Sequence, residues 1–328
     1  MVDALNEFSL QWTLLFQAWG DGFLSILAAV SWLGREEFYL LVMPVILWSF
    51  DYTLGLRLGS MLVLSNAVNA IGKLALHTPR PFWNAEAVHP FGAAENNFSA
   101  PSGHAQVPVT VYGLLAVQLR RRWFTILAVL LILVLGLGRV PLGMHYLQDV
   151  LVGWVFGFVV LWAFLTFEKP ILDWALGRPA IQQYLLALAA GLLVALLGWL
   201  ALTSTQAWAM PEEWGTLASR FLEEGETFNP RNLDAVLTSS GAMTGLWWGY
   251  LWLNERGGFS AQGAWWQRVV RFLIGLAGVL ALWAGLGSVF PDGMDLAGFS
   301  LRFLRYLLVG LWISGFAPWL FRRLKLAA

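Results

Sequence analysis

The chain has no cysteine, so disulfides, thiolate metal sites and cysteine nucleophiles are all excluded. Charge is scarce: Lys, Arg, Asp and Glu make up 12% of the 328 residues, against about 25% in soluble domains. It is also balanced, 20 cations against 20 anions, which offers no electrostatic footprint for a nucleic-acid partner. Histidine occurs only four times, and no His/Asp/Glu spacing resembles a metal site. There is no internal repeat and no low-complexity segment. The start, Met1-Val2-Asp3-Ala4, lacks the basic stretch of a cleavable signal, so insertion is expected to use internal spans.

Apolar sequence is what the chain has in quantity. Hydrophobic residues make up 58% of it, the mean hydropathy is +0.64, and apolar runs of about 17–25 residues recur as a bilayer demands. The fold class expected is all-α, a polytopic membrane bundle. Candidate spans are 37–50, 54–76, 103–119, 123–139, 145–166, 181–203, 239–255, 267–290 and 303–321. Before them, Leu5, Phe8, Trp12, Leu15 and Phe16 at helical spacing predict an amphipathic interfacial helix. Gly22 to Leu33 is apolar but short, closed by Arg35-Glu36-Glu37, and reads as re-entrant or interfacial.

Nine spans would put the chain ends on opposite sides, and the Lys/Arg bias then chooses the sides. Arg57, Arg120-Arg121-Arg122, Lys169, Arg178, Arg256, Arg268, Arg271 and Arg322-Arg323-Lys325 mark one set of connections. Glu212, Glu213, Glu223, Glu224, Glu226, Asp234, Asp292 and Asp295 mark the other. The first set is expected to be cytoplasmic, with the C-terminus. Three divisions are expected: an interfacial segment 1–36, a transmembrane core 37–170, and an extension 171–328 of about four helices. The extension has a long acidic outer loop, 204–238, and Gly241, Gly245 and Gly249, a row suited to close helix packing.

Three polar clusters interrupt the core, all on the expected outer face. The first is Lys73 with Arg80-Pro81: two cations seven residues apart, on an exit stiffened by Pro79 and Pro81, suited to gripping a phosphate. Snorkelling of Lys and Arg at a span end is the simpler alternative. The second, Pro101-Ser102-Gly103-His104, opens a span. Ser102 fits an N-cap, and Gly103 lets the backbone approach an anion at a helix N-terminus; a cap with an incidental histidine is the alternative. The third is Arg139 with His145 and Asp149. His145 and Asp149 are four apart and share a helix face, so the carboxylate can fix the imidazole tautomer; a structural pair is the alternative. His77 and His89 read as solvated loop histidines, and 82–100, with Asn84, Glu86, Glu95 and Asn96, as a loop long enough for a lid or specificity element. Arg302 and Arg305 read as snorkelling residues or a headgroup anchor.

The order K-x6-R-P, P-S-G-H, R-x5-H-x3-D over residues 73–149 resembles the tripartite signature of the type 2 phosphatidic acid phosphatase superfamily. The resemblance implies a phosphatase core in which His145 is the nucleophile, Asp149 orients it, and His104 is the general acid. It implies phosphate binding by Lys73, Arg80, Ser102, Gly103 and Arg139, with no cofactor and no metal. Gly138 stands where the family usually has Ser before the third-motif Arg. The expected substrate is a lipid-linked phosphate or diphosphate met at the extracytoplasmic face of the membrane, the inner membrane if the host is bacterial. The long extension gives a layout similar to sphingosine-phosphate phosphatases and glucose-6-phosphatase. A phosphotransferase with the same phosphohistidine and hydrolysis of a soluble phosphate ester are the enzymatic alternatives. A vanadate-binding haloperoxidase and a transporter or scaffold with a dead site are the remaining ones. Oligomeric state is not legible.

Overall fold

A computed structural model describes residues 2–290 and 293–327. Met1, and Asp292 of the acidic set, lie outside the described residues. Among those described, the regular structure is entirely helical. The helices are α1 (Val2–Gln17), α2 (Asp21–Ser31), α3 (Glu36–Ser49), α4 (Tyr52–Leu76), α5 (Pro81–Asn84), α6 (Gly103–Leu119), α7 (Arg122–Leu137) and α8 (Leu147–Leu176). They continue as α9 (Ala180–Ser204), α10 (Glu212–Ala218), α11 (Asp234–Asn254), α12 (Trp265–Val289), α13 (Leu296–Leu311) and α14 (Ala317–Arg323).

Each expected span coincides with a helix, but not each helix is long and apolar enough to cross a membrane. Among the described residues five qualify: Tyr52–Asn84, Leu147–Leu176, Ala180–Ser204, Trp265–Val289 and Leu296–Arg323. A sixth qualifies if Leu5–Gln17 and Asp21–Gly34, bent by 111°, form one broken span. The expectation of nine is thus met only in part, by length and composition. Helices α3, α6 and α7 have 14, 17 and 16 residues, or about 21–26 Å at 1.5 Å per residue, short of a ~30 Å hydrocarbon core. Helix α11 has 21 residues, but Ser239, Ser240, Gly241, Thr244, Gly245 and Gly249 lower its hydropathy and are buried in packing.

The chain divides into two compact units. The first comprises Met1–Phe38, Val68–Trp162 and Trp199–Asn232. The second comprises Tyr39–Ala67, Ala163–Gly198 and Leu233–Ala328.

In the second unit, α11 and α13 lie backbone to backbone along the expected glycine row. A Cβ at Gly241 would meet the Phe303 carbonyl, one at Gly245 the Leu307 carbonyl, and one at Gly249 the Ser314 hydroxyl. Small residues replace side-chain bulk with main-chain contact there, the usual basis of helix pairing in lipid. After α13, the turn Trp312–Phe316 is π-helical, and its loosened carbonyls find side-chain donors. Trp48 Nε1 donates to Ile313 O at 2.8 Å, and Tyr52 Oη to Ser314 O at 2.6 Å. Arg57 and Glu168 pair through two bonds, 2.7 and 2.8 Å, which neutralises both charges within that unit.

In the first unit, α1 forms as its apolar spacing predicts and carries an aromatic ladder, Phe8, Trp12, Phe16 and Trp19, that runs on to Phe23. Beside that ladder Ser9 and Thr13 are both fully buried. Ser9 Oγ accepts a 2.7 Å bond from the Leu147 amide, one of the free N–H groups that begin α8. The face of α8 that follows runs at four-residue intervals through Asp149, Gly153 and Gly157. A Cβ at Gly153 would stand 2.6 Å from Ser102 O, and one at Gly157 2.8 Å from Gln106 O. Two glycines therefore let α8 approach the start of α6 closely enough to join the second and third polar clusters.

Candidate active site

Helix α4 ends at Leu76, just before the Thr78-Pro79-Arg80-Pro81 exit, as the prolines predict. Lys73 lies in its last turn, and Arg80 directly precedes α5. Both are buried, at 7% and 0% exposure, so surface snorkelling does not describe them. Arg139, after α7, is 4% exposed.

The acceptors that hold these cations come from the loop 85–102. Asn97 Oδ1 receives Lys73 Nζ at 2.6 Å and Arg80 Nη2 at 2.5 Å, while Asn97 O receives Arg80 Nε at 2.7 Å. Glu95 bridges the two guanidiniums: Oε2 accepts from Arg80 Nη2 at 2.6 Å and Oε1 from Arg139 Nη2 at 2.5 Å. Burial raises the Glu95 proton affinity, but Arg80, Arg139, Lys73 and His145 outweigh it and hold the carboxyl well below the usual range. An ionised carboxylate thus spreads two oxygens between two guanidiniums, much as two phosphoryl oxygens would. Sequence reading placed Glu95 only as a member of a lid loop, and it did not single out Asn97 at all.

His145 lies just before α8, fully buried. Its Nε2 stands 3.4 Å from Arg80 Nη1, and Arg80 Nη1 also donates to Met144 O at 2.9 Å. On the other side of the ring, Ser99 Oγ lies 3.1 Å from Nδ1 and donates to Asp149 Oδ2 at 2.5 Å. Asp149 Oδ2 is 3.6 Å from His145 Nδ1 and accepts the Tyr146 amide at 2.8 Å. The expected His145–Asp149 pairing is therefore present with Ser99 inserted as a relay. With its own hydrogen committed to Asp149, the Ser99 hydroxyl accepts from Nδ1–H and leaves Nε2 unprotonated, accepting a long bond from Arg80 Nη1. Burial above all, then the Arg80 charge, pushes the His145 proton affinity well below the ordinary histidine range. The result is a neutral imidazole. Ser99 carries no motif spacing that would mark it in the sequence.

The second cluster is drawn in by backbone. The Ser102 amide donates to Asp149 O at 3.0 Å. Asn69 Nδ2 donates to Pro101 O at 3.1 Å and to Gln106 Oε1 at 2.9 Å, tying this turn to α4. Ser102 Oγ, His104 Nε2 and Arg139 Nε are buried with no hydrogen-bond partner among the described residues. Such groups are costly unless a ligand or water meets them, and all three belong to the polar clusters. The His104 ring packs so near Gly34 that a Cβ there would stand 3.0 Å from its Cδ2. At Gly138 a Cβ would press on Val134 O at 2.7 Å, which accounts for glycine at that turn. Ser102 stands at the N-cap of α6 as expected, but its side chain makes no capping bond. His89 is an exposed loop histidine as expected, with Phe221 at 5.7 Å, while His77 is half-buried against Trp208 at 4.5 Å. Arg302 pairs with Asp234 at 3.0 Å, and Arg305 lies over Trp283 at 5.6 Å.

Among the described residues no group of three or more His, Asp or Glu side chains could hold a metal ion. The arrangement offers three clustered cations beside an uncharged imidazole with one unprotonated nitrogen turned to Arg80.

Glu95→Gln should lower stability by about 1–3 kcal/mol, the scale for losing charged hydrogen bonds, and inorganic phosphate should recover more of it than in the wild type. Equal phosphate stabilisation of both proteins, read as Tm in detergent, would show that the two anions do not share the cations. Because the Glu95 carboxyl titrates below its unfolded value, its contribution is complete above about pH 4.5 and is lost as pH falls through the folded value. Ser99→Ala should lower kcat by about tenfold, since one relay bond is worth roughly 1–1.5 kcal/mol, with KM little changed. An unaltered kcat would remove Ser99 from the relay.

Residues 54–171 match the PAP2 superfamily model, and residues 237–328 match the model described as PAP2 superfamily phosphatase, transmembrane extension. The undecaprenyl-diphosphatase of Sulfolobus acidocaldarius is 24% identical over 133 residues, which are 40% of this chain and 64% of that relative. The chain thus spans less than two thirds of the relative's length. No solved structure matches. Both matched regions carry the same superfamily name, the first encloses all three polar clusters, and together they cover more than half of the chain: the protein belongs to the PAP2 superfamily.

Proposed function

We propose that the protein hydrolyses a lipid-linked phosphate or diphosphate through a phosphohistidine on His145, without a metal. The observation that carries this reading is the relay Asp149–Ser99–His145, which leaves Nε2 unprotonated and 3.4 Å from a phosphate-binding guanidinium.

In the first step phosphate takes the place of the Glu95 carboxylate between Arg80 and Arg139, with Lys73, Ser102 Oγ and the Gly103 amide completing the cradle. The Nε2 lone pair attacks phosphorus, the bond to the leaving oxygen breaks, and His104 gives that oxygen a proton. The imidazolium formed on His145 is stabilised through Ser99 by the Asp149 carboxylate. In the second step His104 takes a proton from water, the water oxygen attacks phosphorus, and the P–N bond breaks to release phosphate and restore His145. The cations stabilise the charge on the transferring group, which is the larger part of phosphoryl-transfer catalysis.

The lipid assignment draws on the setting among apolar helices and on the similarity to an undecaprenyl-diphosphatase. The functional division follows the motifs: an interfacial segment 1–36, a catalytic core 37–170 and an extension 171–328. The Lys/Arg bias supports an extracytoplasmic site and a cytoplasmic C-terminus.

The test is phosphate release by the detergent-purified protein over lipid mono- and diphosphates and glucose 6-phosphate. His145→Ala should abolish release, and Asp149→Asn should cut it by about a hundredfold or more. Vanadate should inhibit and a chelator should not; release that persists in purified His145→Ala, or that needs a metal, would refute the mechanism. The cysteine-free sequence makes the orientation directly testable. An impermeant thiol reagent should label Ala93→Cys but not Gln262→Cys in intact cells, and the reverse pattern would invert the assigned faces.

A further inference from the structure

The loop that grips the cations is itself gripped from outside the three motifs. Asn96 lies between Glu95 and Asn97, yet its carboxamide makes bonds to a different segment. Nδ2 donates to Thr227 O at 2.6 Å, and Oδ1 accepts from the Asn229 amide at 3.0 Å. A donor and an acceptor on one side chain are thus matched to backbone groups two residues apart, which fixes both position and orientation.

Thr227 and Asn229 belong to the connection after α9, between the regions matched by the two family models, 54–171 and 237–328. This connection is built to be stiff. Arg231 Nη2 donates to Thr205 O at 3.1 Å and Trp208 O at 2.6 Å, and Asn232 Nδ2 donates to Asn229 O at 2.8 Å. Phe228 lies edge-on to fully buried Trp83 at 4.8 Å, and Trp208 packs on Trp214 at 5.5 Å. The Arg220–Glu86 pair joins the same two segments, but its side chains are 51% and 75% exposed, so it adds little.

We propose that segment 205–232 is a positioning element of the active site, acting through the Asn96 side chain. It holds residues 95–97 where Asn97 keeps Lys73 and Arg80 together against their mutual repulsion. The far end of the loop is anchored independently: the Ser99 amide donates to Thr78 O at 3.0 Å, and the Ala100 amide to Thr78 Oγ1 at 2.9 Å. Releasing Asn96 therefore loosens the cation scaffold and leaves the Asp149–Ser99–His145 relay in place. Anion binding should suffer while the chemical step does not.

For turnover the inference rests on the phosphatase reading; for anion binding it does not. The test uses the full chain in detergent, with inorganic phosphate as the probe and tryptophan fluorescence as the signal. Asn96→Leu removes both bonds and should weaken phosphate binding about tenfold. Asn96→Asp keeps the acceptor for Asn229 but loses the donor, and should weaken it about threefold. With a hydrolysed substrate, KM should rise by similar factors while kcat stays within about twofold. Unchanged or tighter phosphate binding in both variants, at wild-type Tm, overturns the proposal, as does a fall in kcat with KM unaltered. If Asn96→Leu fails to fold, the Asp variant decides alone. Wild-type protein that binds phosphate but releases none from any ester would sink the phosphatase reading, and the Kd comparison would still judge Asn96.

Discussion

Lys73, Arg80 and Arg139 are each almost fully withdrawn from water and lie close enough to share acceptors. Like charges at such spacing repel, and each has lost most of its hydration, so they stay together only if oppositely polarised groups are fixed among them. Glu95 and Asn97 supply that polarity, with a carboxylate across two guanidiniums and an amide oxygen shared by a guanidinium and an ammonium. The surroundings of the loop 85–102 follow from this need. Thr78 pins one end of it, the Phe91 amide donates to Leu142 O at 2.9 Å, and Asn96 is held by the segment after α9.

The protonation state of His145 is set by the same cations working in the opposite direction. They attract an anion and repel a proton, so an anion-binding pocket is also a place where a buried imidazole stays neutral. The hydrogen-bond chain through Ser99 then decides which nitrogen keeps its hydrogen. In this respect the site needs only one arrangement of charge for two purposes.

The bundle delivers these groups by close backbone approach. Gly153 and Gly157 on α8 admit the start of α6, and the row Gly241, Gly245 and Gly249 admits α13 within the other unit. Helices that spend their faces on such contacts need less lipid-facing surface. This fits short α6 and the Ser- and Gly-rich α11, whose faces are largely buried in packing.

The sequence by itself determined the helical class, the positions of the helices and the three polar clusters. Hydropathy and proline or glycine breaks act locally, and a motif of fixed spacing is a property of the chain alone. Helix positions at 54–76 and 181–203 were legible for that reason, whereas His145 approaches Asp149 from just before α8 and not from a shared helix face. The number of helices able to cross was not, because a short apolar helix reads alike whether it faces lipid or its neighbours. Only tertiary structure decided that Ser99 stands between His145 and Asp149, that Glu95 and Asn97 bind the cations, and that Asn96 is held from 131 and 133 residues away. None of these residues has a periodic pattern or a motif. Their roles come from which acceptor the folded chain brings within bonding distance of a buried charge, and that depends on contacts far apart in sequence.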